Sequence, residues 1–304
     1  MTKSLLCWPE PVIRVQSLAA SGIRANPRAE VDVPVIDFQN LFSSDRGLCD
    51  EALRCVHNAC REWGFFQIVN HGVSHELMKR TCEVWHEFFN LPLEEKQKYA
   101  NTPATYEGEL VAEYGSEVVR LGGKLMKVLS MNLGLEEDSL LKSFGGEENV
   151  GACLRVSYYP KCPQPDLTLG LSPHSDPGGL TILLPDENVG GLQVCRKGSW
   201  LTVKPVPNAF IINIGDQIQV LSNAIYQSVE HRVIVNSNED RVSLAIFYNP
   251  KSDQLLEPCK KLLTKDRPAL YKPMTYDEYR LTIRAKGPCG KKQVESLKSP
   301  RQSD

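Results

Sequence analysis

The second half of the chain consists of short apolar runs separated by turn-forming residues, and this texture constrains the fold most strongly. The runs between residues 151 and 250 are separated by stretches that contain Pro, Gly, Asn or Asp. Short strands with turn signals between them are typical of an antiparallel sandwich or barrel. The runs predicted as strands are ACLRVSYY, GLTILL, GLQV, WLTV, AFIINI, QIQVL, SVEHRVIV and RVSLAIFY.

The first half is predicted to be mainly helical. Apolar residues at helical spacing indicate helices over about residues 48–63, 74–89 and 109–133, with Ser74 as an N-cap and a short helix after Pro92. The segment GFFQIVNHG is predicted as a strand between the first two helices.

A last helix is expected in TYDEYRLTIRAKGP. Thr275 and Glu278 form a capping box at its start, and Gly287 with Pro288 ends it. The polar tail after it is expected to be disordered. The regions expected along the chain are an N-terminal helix-and-strand region (1–108), a helical connector (109–148), a β core (149–250), a C-terminal helical cap (251–290) and the polar tail (291–304).

Composition and charge exclude several classes of function. The chain has 35 basic and 37 acidic residues, and a nucleic-acid-binding surface would need a concentrated basic excess. No apolar run approaches the roughly 20 residues that span a bilayer. Ten cysteines without a CxxC pair indicate reduced thiols. We therefore expect a cytoplasmic protein, with the nucleus as an alternative, that has no nucleic-acid, membrane or obligate protein partner.

Two polar residues stand directly before one of the apolar runs. In LSPHSDPGGLTILLP, His174 and Asp176 are two positions apart, and side chains at i and i+2 of an extended chain point to one face. An imidazole and a carboxylate on one face supply two of the three ligands of a 2-His-1-carboxylate iron site. By itself, such a pair is more often a hydrogen-bonded turn, so the metal interpretation depends on a third ligand.

The third ligand is expected at His231. A single histidine in a strand is ordinarily a core or sheet-surface residue, but this run and the next indicate a hairpin with NSNED as its turn. The return strand begins with Arg241 and Ser243, a guanidinium and a hydroxyl that suit one carboxylate. The pattern R-x-S also occurs at 155–157 and 301–303, but only Arg241 stands one hairpin from the candidate ligand.

This joint pattern resembles the iron(II)/2-oxoglutarate-dependent dioxygenases, specifically the plant branch that includes anthocyanidin synthase. VPVIDF, CREWGFFQIVNHGV and LPLEEKQKYA are similar to the N-terminal signature of that branch. SYYPKCPQPDLTLGLSPHSD, FIINIGDQIQVLSN and YQSVEHRVIVN are similar to its catalytic core. The resemblance covers nearly the whole chain and implies an α+β fold, with a double-stranded β-helix (jelly roll) core flanked by helices.

The resemblance also implies the cofactors and a role for each candidate residue. The cofactors are Fe(II), 2-oxoglutarate as cosubstrate and O2, with ascorbate as a stimulant. The implied chemistry converts 2-oxoglutarate to succinate and carbon dioxide while a C–H bond of the substrate is hydroxylated. The implied iron ligands are His174, Asp176 and His231, and the implied 2-oxoglutarate contacts are Arg241, Ser243 and Tyr159. Tyr159 has an ordinary core aromatic as its alternative role.

Within the branch, CWPEPVIRVQSL, YANTPATYEG, HSDPGGLTILLPDE and YDEYRLTIRAKGPCGKKQVESL are similar to the jasmonate-induced oxygenases, which hydroxylate jasmonic acid. Arg155, Arg280 and Arg284 match arginines that hold the hormone's carboxylate in that group. From spacing alone, Arg280 and Arg284 share a helix face, where cations also favour the helix dipole. Arg155 is expected on a strand that enters the core. Phe247 and Tyr276 are candidates for the apolar wall, with plain core packing as the alternative.

The chain departs from the family pattern at three places. After TYEG (105–108) the family continues for tens of residues, including a strand pair beside the substrate pocket, whereas here Gly108 leads directly into ELVAEYG. A shorter stretch is missing between ANPR and VDVPVID. The first loss is expected to remove one pocket wall and expose an edge strand. Ala224 stands where the family usually has glycine, which would cost about 1 kcal/mol if that turn needs a positive φ.

These features predict a jasmonic acid hydroxylase that dampens hormone signalling. One alternative is a flavonoid dioxygenase similar to anthocyanidin synthase, and another is a shortened, non-catalytic isoform that binds without hydroxylating. A zinc hydrolase is a third alternative, but it would need a base for the metal-bound water and would leave the Arg241 and Ser243 pair without a role.

Overall fold

The computed structural model describes residues 30–99, 108–286 and 291–298, and in these ranges two β-sheets face each other. The strands of the two sheets are β1 (Glu30–Val31), β2 (Val35–Asp37), β3 (Phe65–Val69), β4 (Gly151–Tyr159), β5 (Leu171–His174), β6 (Leu180–Leu184), β7 (Leu192–Arg196), β8 (Ser199–Val203), β9 (Phe210–Ile214), β10 (His231–Val233) and β11 (Arg241–Asn249). A separate two-stranded pair consists of β12 (Leu255–Leu256) and β13 (Met274–Thr275).

The larger sheet has the order β2-β3-β9-β6-β11-β4, and the smaller one has the order β1-β8-β7-β10-β5. Successive core strands alternate between the sheets except for the β7–β8 hairpin: β4, β6, β9 and β11 lie in the larger sheet, and β5, β7, β8 and β10 in the smaller. Pairing among these core strands is antiparallel. The predicted double-stranded β-helix, or jelly roll, is confirmed.

The long helices of the first half pack against the larger sheet. Eight α-helices are present in the described ranges. They are α1 (Arg46–Glu62), α2 (His75–Asn90), α3 (Leu93–Gln97), α4 (Gly108–Asn132), α5 (Ser139–Ser143), α6 (Asp216–Leu221), α7 (Tyr276–Lys286) and α8 (Lys292–Glu295). Short 3₁₀ helices occupy Phe38–Phe42, Glu147–Asn149, Pro165–Leu167 and Lys260–Leu262. Ser74 caps α2 as expected, because its Oγ accepts a hydrogen bond from the Leu77 N–H at 3.3 Å. None of the helices in the described ranges is long and apolar enough to cross a membrane.

Helix α4 supplies much of the hydrophobic core. Its predicted inner residues Leu110, Tyr114, Val118, Leu121, Leu125 and Leu129 are all buried. Gly122 weakens the helix intrinsically but allows close packing, because a Cβ there would lie only 2.6 Å from the Tyr248 ring on β11. One hydrophobic cluster joins these helices to the larger sheet, so the N-terminal region and the jelly roll share a core.

Two strand predictions were wrong. QIQVL lies in α6 and is completely buried, and a short apolar run of this kind has no periodicity that separates a buried strand from a buried helix. The expected hairpin between the runs of His231 and Arg241 does not form. β10 pairs with β5 and β7 in the smaller sheet, whereas β11 pairs with β4 and β6 in the larger one. The segment between them crosses the sandwich.

The expectation of a disordered tail was wrong for residues 291–298. They contain α8, and Val294 and Leu297 are buried in a small apolar cluster with Tyr271 and Tyr279. Their apolar side chains account for this order, since they remove surface from water. The capping box of Thr275 and Glu278 is confirmed at the start of α7, with hydrogen bonds of 2.8–3.3 Å in both directions. Gly287, Pro288 and residues 299–304 lie outside the described residues.

Strand β4 lies at the edge of the larger sheet in the described part of the chain. Along one side it pairs with β11, from Gly151↔Asn249 to Tyr159↔Arg241. Its first residues, Gly151, Ala152 and Cys153, are exposed. This is the edge strand expected when the segment after Gly108 is missing.

Candidate metal centre and cosubstrate clamp

The two histidines and the aspartate identified from the sequence converge at the open end of the sandwich. His174 is the last residue of β5 and pairs directly with His231 on β10. Asp176 follows in the loop of residues 175–179, here called the ligand loop. Nε2 of each histidine lies 3.6 Å from Asp176 Oδ1, and one ligand atom from each residue lies within 4.8 Å of the others.

The other nitrogen of each imidazole is already hydrogen-bonded. His174 Nδ1 lies 2.8 Å from the Ser172 carbonyl oxygen, and His231 Nδ1 lies 3.1 Å from that of Val229. A carbonyl oxygen only accepts, so each Nδ1 carries the hydrogen and each Nε2 has a free lone pair in the neutral ring. Burial, together with the neighbouring His231, lowers the pKa of His174 to about 4 despite the opposing charge of Asp176. The neutral, metal-binding form of His174 therefore predominates near neutral pH.

Asp176 is oriented in the same manner. Its Oδ2 accepts hydrogen bonds from the Thr181 hydroxyl and, at 2.8 Å, from the Asn213 amide. Burial opposes ionisation, but His231, His174 and these two donors together hold the pKa of Asp176 below its usual value. Oδ1 thus faces the histidines as a carboxylate oxygen. Two imidazole nitrogens and one carboxylate oxygen fit a facial site for non-haem Fe(II).

Sequence reasoning did not identify Thr181 and Asn213. Thr181 lies in β6 and Asn213 in β9, and both are buried. A signal was present, because each is a polar residue within an otherwise apolar run, and a buried polar group needs a partner.

Arg241 and Ser243 lie beside this centre on β11. Arg241 is 3% exposed. Its Nε donates to the Val189 carbonyl oxygen at 3.1 Å, and its Nη1 donates to Ser243 Oγ at 3.3 Å. Its guanidinium lies 5.2 Å from the ring centroid of Tyr159, the residue that pairs with it across β4 and β11. Burial lowers the pKa of Arg241, with Tyr159 and Asp186 opposing. The hydrogen bonds described for this buried cation go to neutral groups, an arrangement suited to an added anion.

One cavity connects the three candidate ligands with Arg241 and Ser243. Tyr159, Arg155 and Phe247 also line it. The strand that carries Arg155 runs from exposed residues to the buried Tyr159, as expected. Arg155 itself is exposed, on a strand at the edge of the larger sheet, although it lines the cavity.

The structure does not bring Arg280 and Arg284 to the cavity lining. Arg280 lies on α7, with Nη1 3.6 Å from Asp277 Oδ1 and its guanidinium 5.5 Å from the Tyr276 ring centroid. Arg284 is exposed one turn further along the helix. The contacts of Arg280 are thus with Asp277 and Tyr276 of its own helix.

Profiles of two families match the chain. The profile of the 2OG-Fe(II) oxygenase superfamily matches residues 150–250, and that of the non-haem dioxygenase in morphine synthesis N-terminal region matches residues 33–132. The first covers the jelly-roll core, including all three candidate ligands.

Curated plant proteins are similar over most of the chain. Jasmonate-induced oxygenase 2 of Arabidopsis thaliana is 50% identical over 354 positions, covering 97% of this chain and 95% of the relative. Flavanone 3-dioxygenase 2 of Oryza sativa subsp. japonica is 41% identical, covering 83% of each protein. The first alignment is longer than the 304 residues of this chain, so the relative has residues that are absent here. This agrees with the expected internal deletion.

Solved structures lead to the same family. The crystal structure of JOX2 in complex with 2OG, Fe and JA has a TM-score of 0.82 and 49% identity, covering 96% of this chain and 99% of that one. The rice dioxygenase for auxin oxidation has a TM-score of 0.78 and 26% identity, covering 88% of this chain and 100% of that one. From its sequence relatives, its matching profiles and its fold, this chain belongs to the 2OG-Fe(II) oxygenase superfamily, a family of 2-oxoglutarate-dependent dioxygenases.

Proposed function

We propose that this protein hydroxylates jasmonic acid, using Fe(II), 2-oxoglutarate and O2. The observation that carries the proposal is the single cavity in which two Nε2 atoms and one carboxylate oxygen lie beside the buried pair of Arg241 and Ser243. The substrate assignment is supported by the structure at 49% identity that contains 2OG, Fe and JA together.

In this proposal His174, Asp176 and His231 hold Fe(II), which supplies oxidative decarboxylation of 2-oxoglutarate and hydroxylation of a C–H bond. Arg241 and Ser243 bind the far carboxylate of 2-oxoglutarate through charge-assisted hydrogen bonds, and the Tyr159 ring limits water access to them. The side chains thus position Fe(II) and 2-oxoglutarate and exclude water, while the cofactor supplies the oxidation chemistry.

Arg155, Arg280 and Arg284 are proposed to bind the carboxylate of the substrate, with Phe247 as apolar wall. Arg155 and Phe247 lie in the cavity lining already. Arg280 would exchange its contact with Asp277 for the substrate, which is feasible because that ion pair is partly exposed and such pairs contribute little energy.

We also propose that the protein works in the cytoplasm, with the nucleus as an alternative, and that its ligands are small molecules. The cysteines in the described ranges are free thiols, as in proteins of a reducing compartment. A fluorescent fusion viewed in plant cells tests the location, and retention in the secretory pathway would contradict it.

The first test is anaerobic addition of Fe(II) and then 2-oxoglutarate to the purified chain. The visible charge-transfer band of a chelated keto acid is expected, and His231→Ala is expected to abolish it. A folded wild-type protein without the band would overturn the iron site. Aerobic incubation with jasmonic acid and, separately, a flavanone then identifies the substrate by mass spectrometry. Hydroxylated jasmonate is expected, whereas oxidation of the flavanone alone would favour the flavonoid alternative.

A further inference from the structure

We propose that Asp216 and Tyr279 are positioning residues that join helix α7 to the ligand loop and so hold Asp176 in place for the metal. The proposal rests on the proposed function, because it takes His174 and Asp176 as iron ligands. Neither Asp216 nor Tyr279 lines the cavity, so both would act through the loop.

The start of α6 holds the main chain of the ligand loop at several points. The Asp216 N–H donates to the Asp176 carbonyl oxygen at 2.8 Å. The Gln217 N–H donates to the Gly178 carbonyl oxygen at 2.9 Å. The Gln217 side-chain amide donates to the Pro177 carbonyl oxygen, also at 2.9 Å. The backbone of a candidate iron ligand is therefore attached directly to Asp216.

The Asp216 side chain extends this attachment to a distant part of the chain. Its Oδ2 accepts a hydrogen bond from Ser175 Oγ at 3.2 Å and another from the Tyr279 hydroxyl at 2.6 Å. Ser175 lies between His174 and Asp176 in the sequence. Asp216 is completely buried, and burying a carboxylate is costly unless hydrogen bonds compensate it. One buried oxygen atom thus connects the ligand loop to α7.

Helix α7 is also the helix that carries the candidate substrate arginines. Arg280 directly follows Tyr279, and Arg284 lies one turn later. When the substrate carboxylate binds these arginines, any displacement of α7 reaches the ligand loop through Tyr279 and Asp216. The link therefore joins the helix that carries the candidate substrate arginines, Arg280 and Arg284, to the candidate iron ligand Asp176.

Tyr271 offers a matched control for Tyr279. Both phenols are buried in the same small apolar cluster, and each makes one hydrogen bond to α6. The Tyr271 hydroxyl accepts from Gln219 Nε2 at 2.8 Å. Gln219 does not contact the ligand loop through that bond, so Tyr271→Phe removes a phenol hydrogen bond to α6 and leaves the link from Tyr279 through Asp216 to Ser175 intact.

The experiment measures Fe(II) binding to the full chain without oxygen, by competition with a chromogenic chelator, together with thermal unfolding. Tyr279→Phe is expected to weaken Fe(II) binding by about 10-fold or more, the usual range for residues that orient metal ligands. Tyr271→Phe is expected to lower the melting temperature similarly but to leave Fe(II) affinity unchanged. Equal Fe(II) affinities in the two variants would overturn the proposal and leave Tyr279 as a structural anchor.

Ser175→Ala provides a second variant, which interrupts the same link at the ligand loop. It is expected to weaken Fe(II) binding to a similar degree, and it replaces Tyr279→Phe in the test if that variant fails to fold. In the wild type, jasmonic acid is expected to shift the charge-transfer band, and Tyr279→Phe is expected to reduce that shift. A wild-type chain that binds no Fe(II) overturns the proposed function itself, whereas normal wild-type binding with unaffected variants overturns only the positioning role.

Discussion

For each candidate ligand, the atom that faces the metal position is selected by the hydrogen bonds of the other atoms. The Nδ1 atoms of His174 and His231 are occupied by main-chain carbonyls, and Asp176 Oδ2 is occupied by Thr181 and Asn213. Only the two Nε2 atoms and Oδ1 are left to converge. These neighbours therefore orient the ligands before any metal binds, as partners of metal ligands commonly do.

Thr181→Val tests this orientation, because it removes the hydroxyl and keeps the β-branched shape. Fe(II) affinity is expected to fall by about 10-fold to 100-fold. Titration of the anaerobic charge-transfer band measures the change. Thr202→Val is the control, since Thr202 Oγ1 accepts from Gln193 Nε2 in the smaller sheet. An Fe(II) affinity equal in both variants would show that the Thr181 hydroxyl does not orient Asp176.

Arg241→Lys tests the cosubstrate clamp. Lysine keeps the charge but cannot reproduce the planar fork, so a charge-assisted hydrogen bond is lost. Affinity for 2-oxoglutarate is expected to fall by about 10-fold or more, whereas Fe(II) affinity stays nearly constant. Calorimetry with 2-oxoglutarate under anaerobic conditions gives the value. Arg196→Lys, at a cation lying over Trp63, serves as the control. Unchanged 2-oxoglutarate binding in Arg241→Lys would contradict the assignment.

His71 predicts a pH dependence of stability. Its Nδ1 accepts from the Val73 N–H and its Nε2 lies 3.0 Å from the Asn208 carbonyl oxygen, so the neutral ring is fully bonded. Burial, with the neighbouring His75, lowers the pKa of His71, although the Asn208 bond opposes this. Below about pH 6.5 the unfolded chain takes up a proton that the folded chain does not, so stability falls as the pH falls.

The expected result is a lower melting temperature when the pH is reduced from about 7.5 to about 5.5. In His71→Gln, the melting temperature is expected to fall less over the same decrease in pH. His86→Gln, at a partly exposed histidine 3.8 Å from Asp186, should keep the full loss. If the melting temperature of His71→Gln fell as much as that of the wild type, the pH dependence of stability would come from other titratable groups.

At the level of secondary-structure elements, α6 and the turn after it organise one side of the site. The helix begins at Asp216, beside the ligand loop, and ends in a turn where Asn223 and Ala224 have φ values of 51° and 61°. Asparagine tolerates this left-handed region, but alanine has a Cβ that crowds its own backbone there. The strain expected from the sequence at Ala224 is therefore present.

Ala224→Gly is expected to stabilise the protein by about 1 kcal/mol, because glycine adopts a positive φ without this crowding. Chemical unfolding at equilibrium measures the difference. Ala112→Gly, at an exposed position inside α4, should shift stability in the opposite direction by a similar amount. A loss of stability in Ala224→Gly would mean that the alanine methyl contributes packing that outweighs the strain.

For the molecule as a whole, the missing segment leaves the site open beside β4. Arg155 and the first residues of that strand are exposed, and Arg155 lines the cavity that contains the candidate ligands. Water entry favours side reactions at a site whose chemistry requires closure. Succinate is therefore expected to exceed hydroxylated jasmonate during turnover. Parallel quantification of both products tests this, with Arabidopsis jasmonate-induced oxygenase 2 as the comparison, and a one-to-one ratio would contradict it.

The sequence alone was enough to predict an antiparallel sandwich or barrel, the helical first half, the capping residues and the three residues that converge at the candidate metal centre. Each prediction depended on a local pattern, such as alternating apolar runs or a polar pair before a buried strand, because local spacing reports which side chains share a face. The resemblance to a known family then joined these local patterns into one site.

Only the tertiary structure decided how these parts meet. His231 and Arg241 lie near each other because their strands face across the sandwich, not because of a hairpin. Thr181, Asn213 and Asp216 reach the ligand loop from β6, β9 and α6, and Tyr279 reaches Asp216 from α7. No spacing along the chain encodes those contacts. Arg155 is exposed because no further strand covers β4 in the described residues. Pairing between distant segments depends on the packing of the whole core, which a local pattern does not specify.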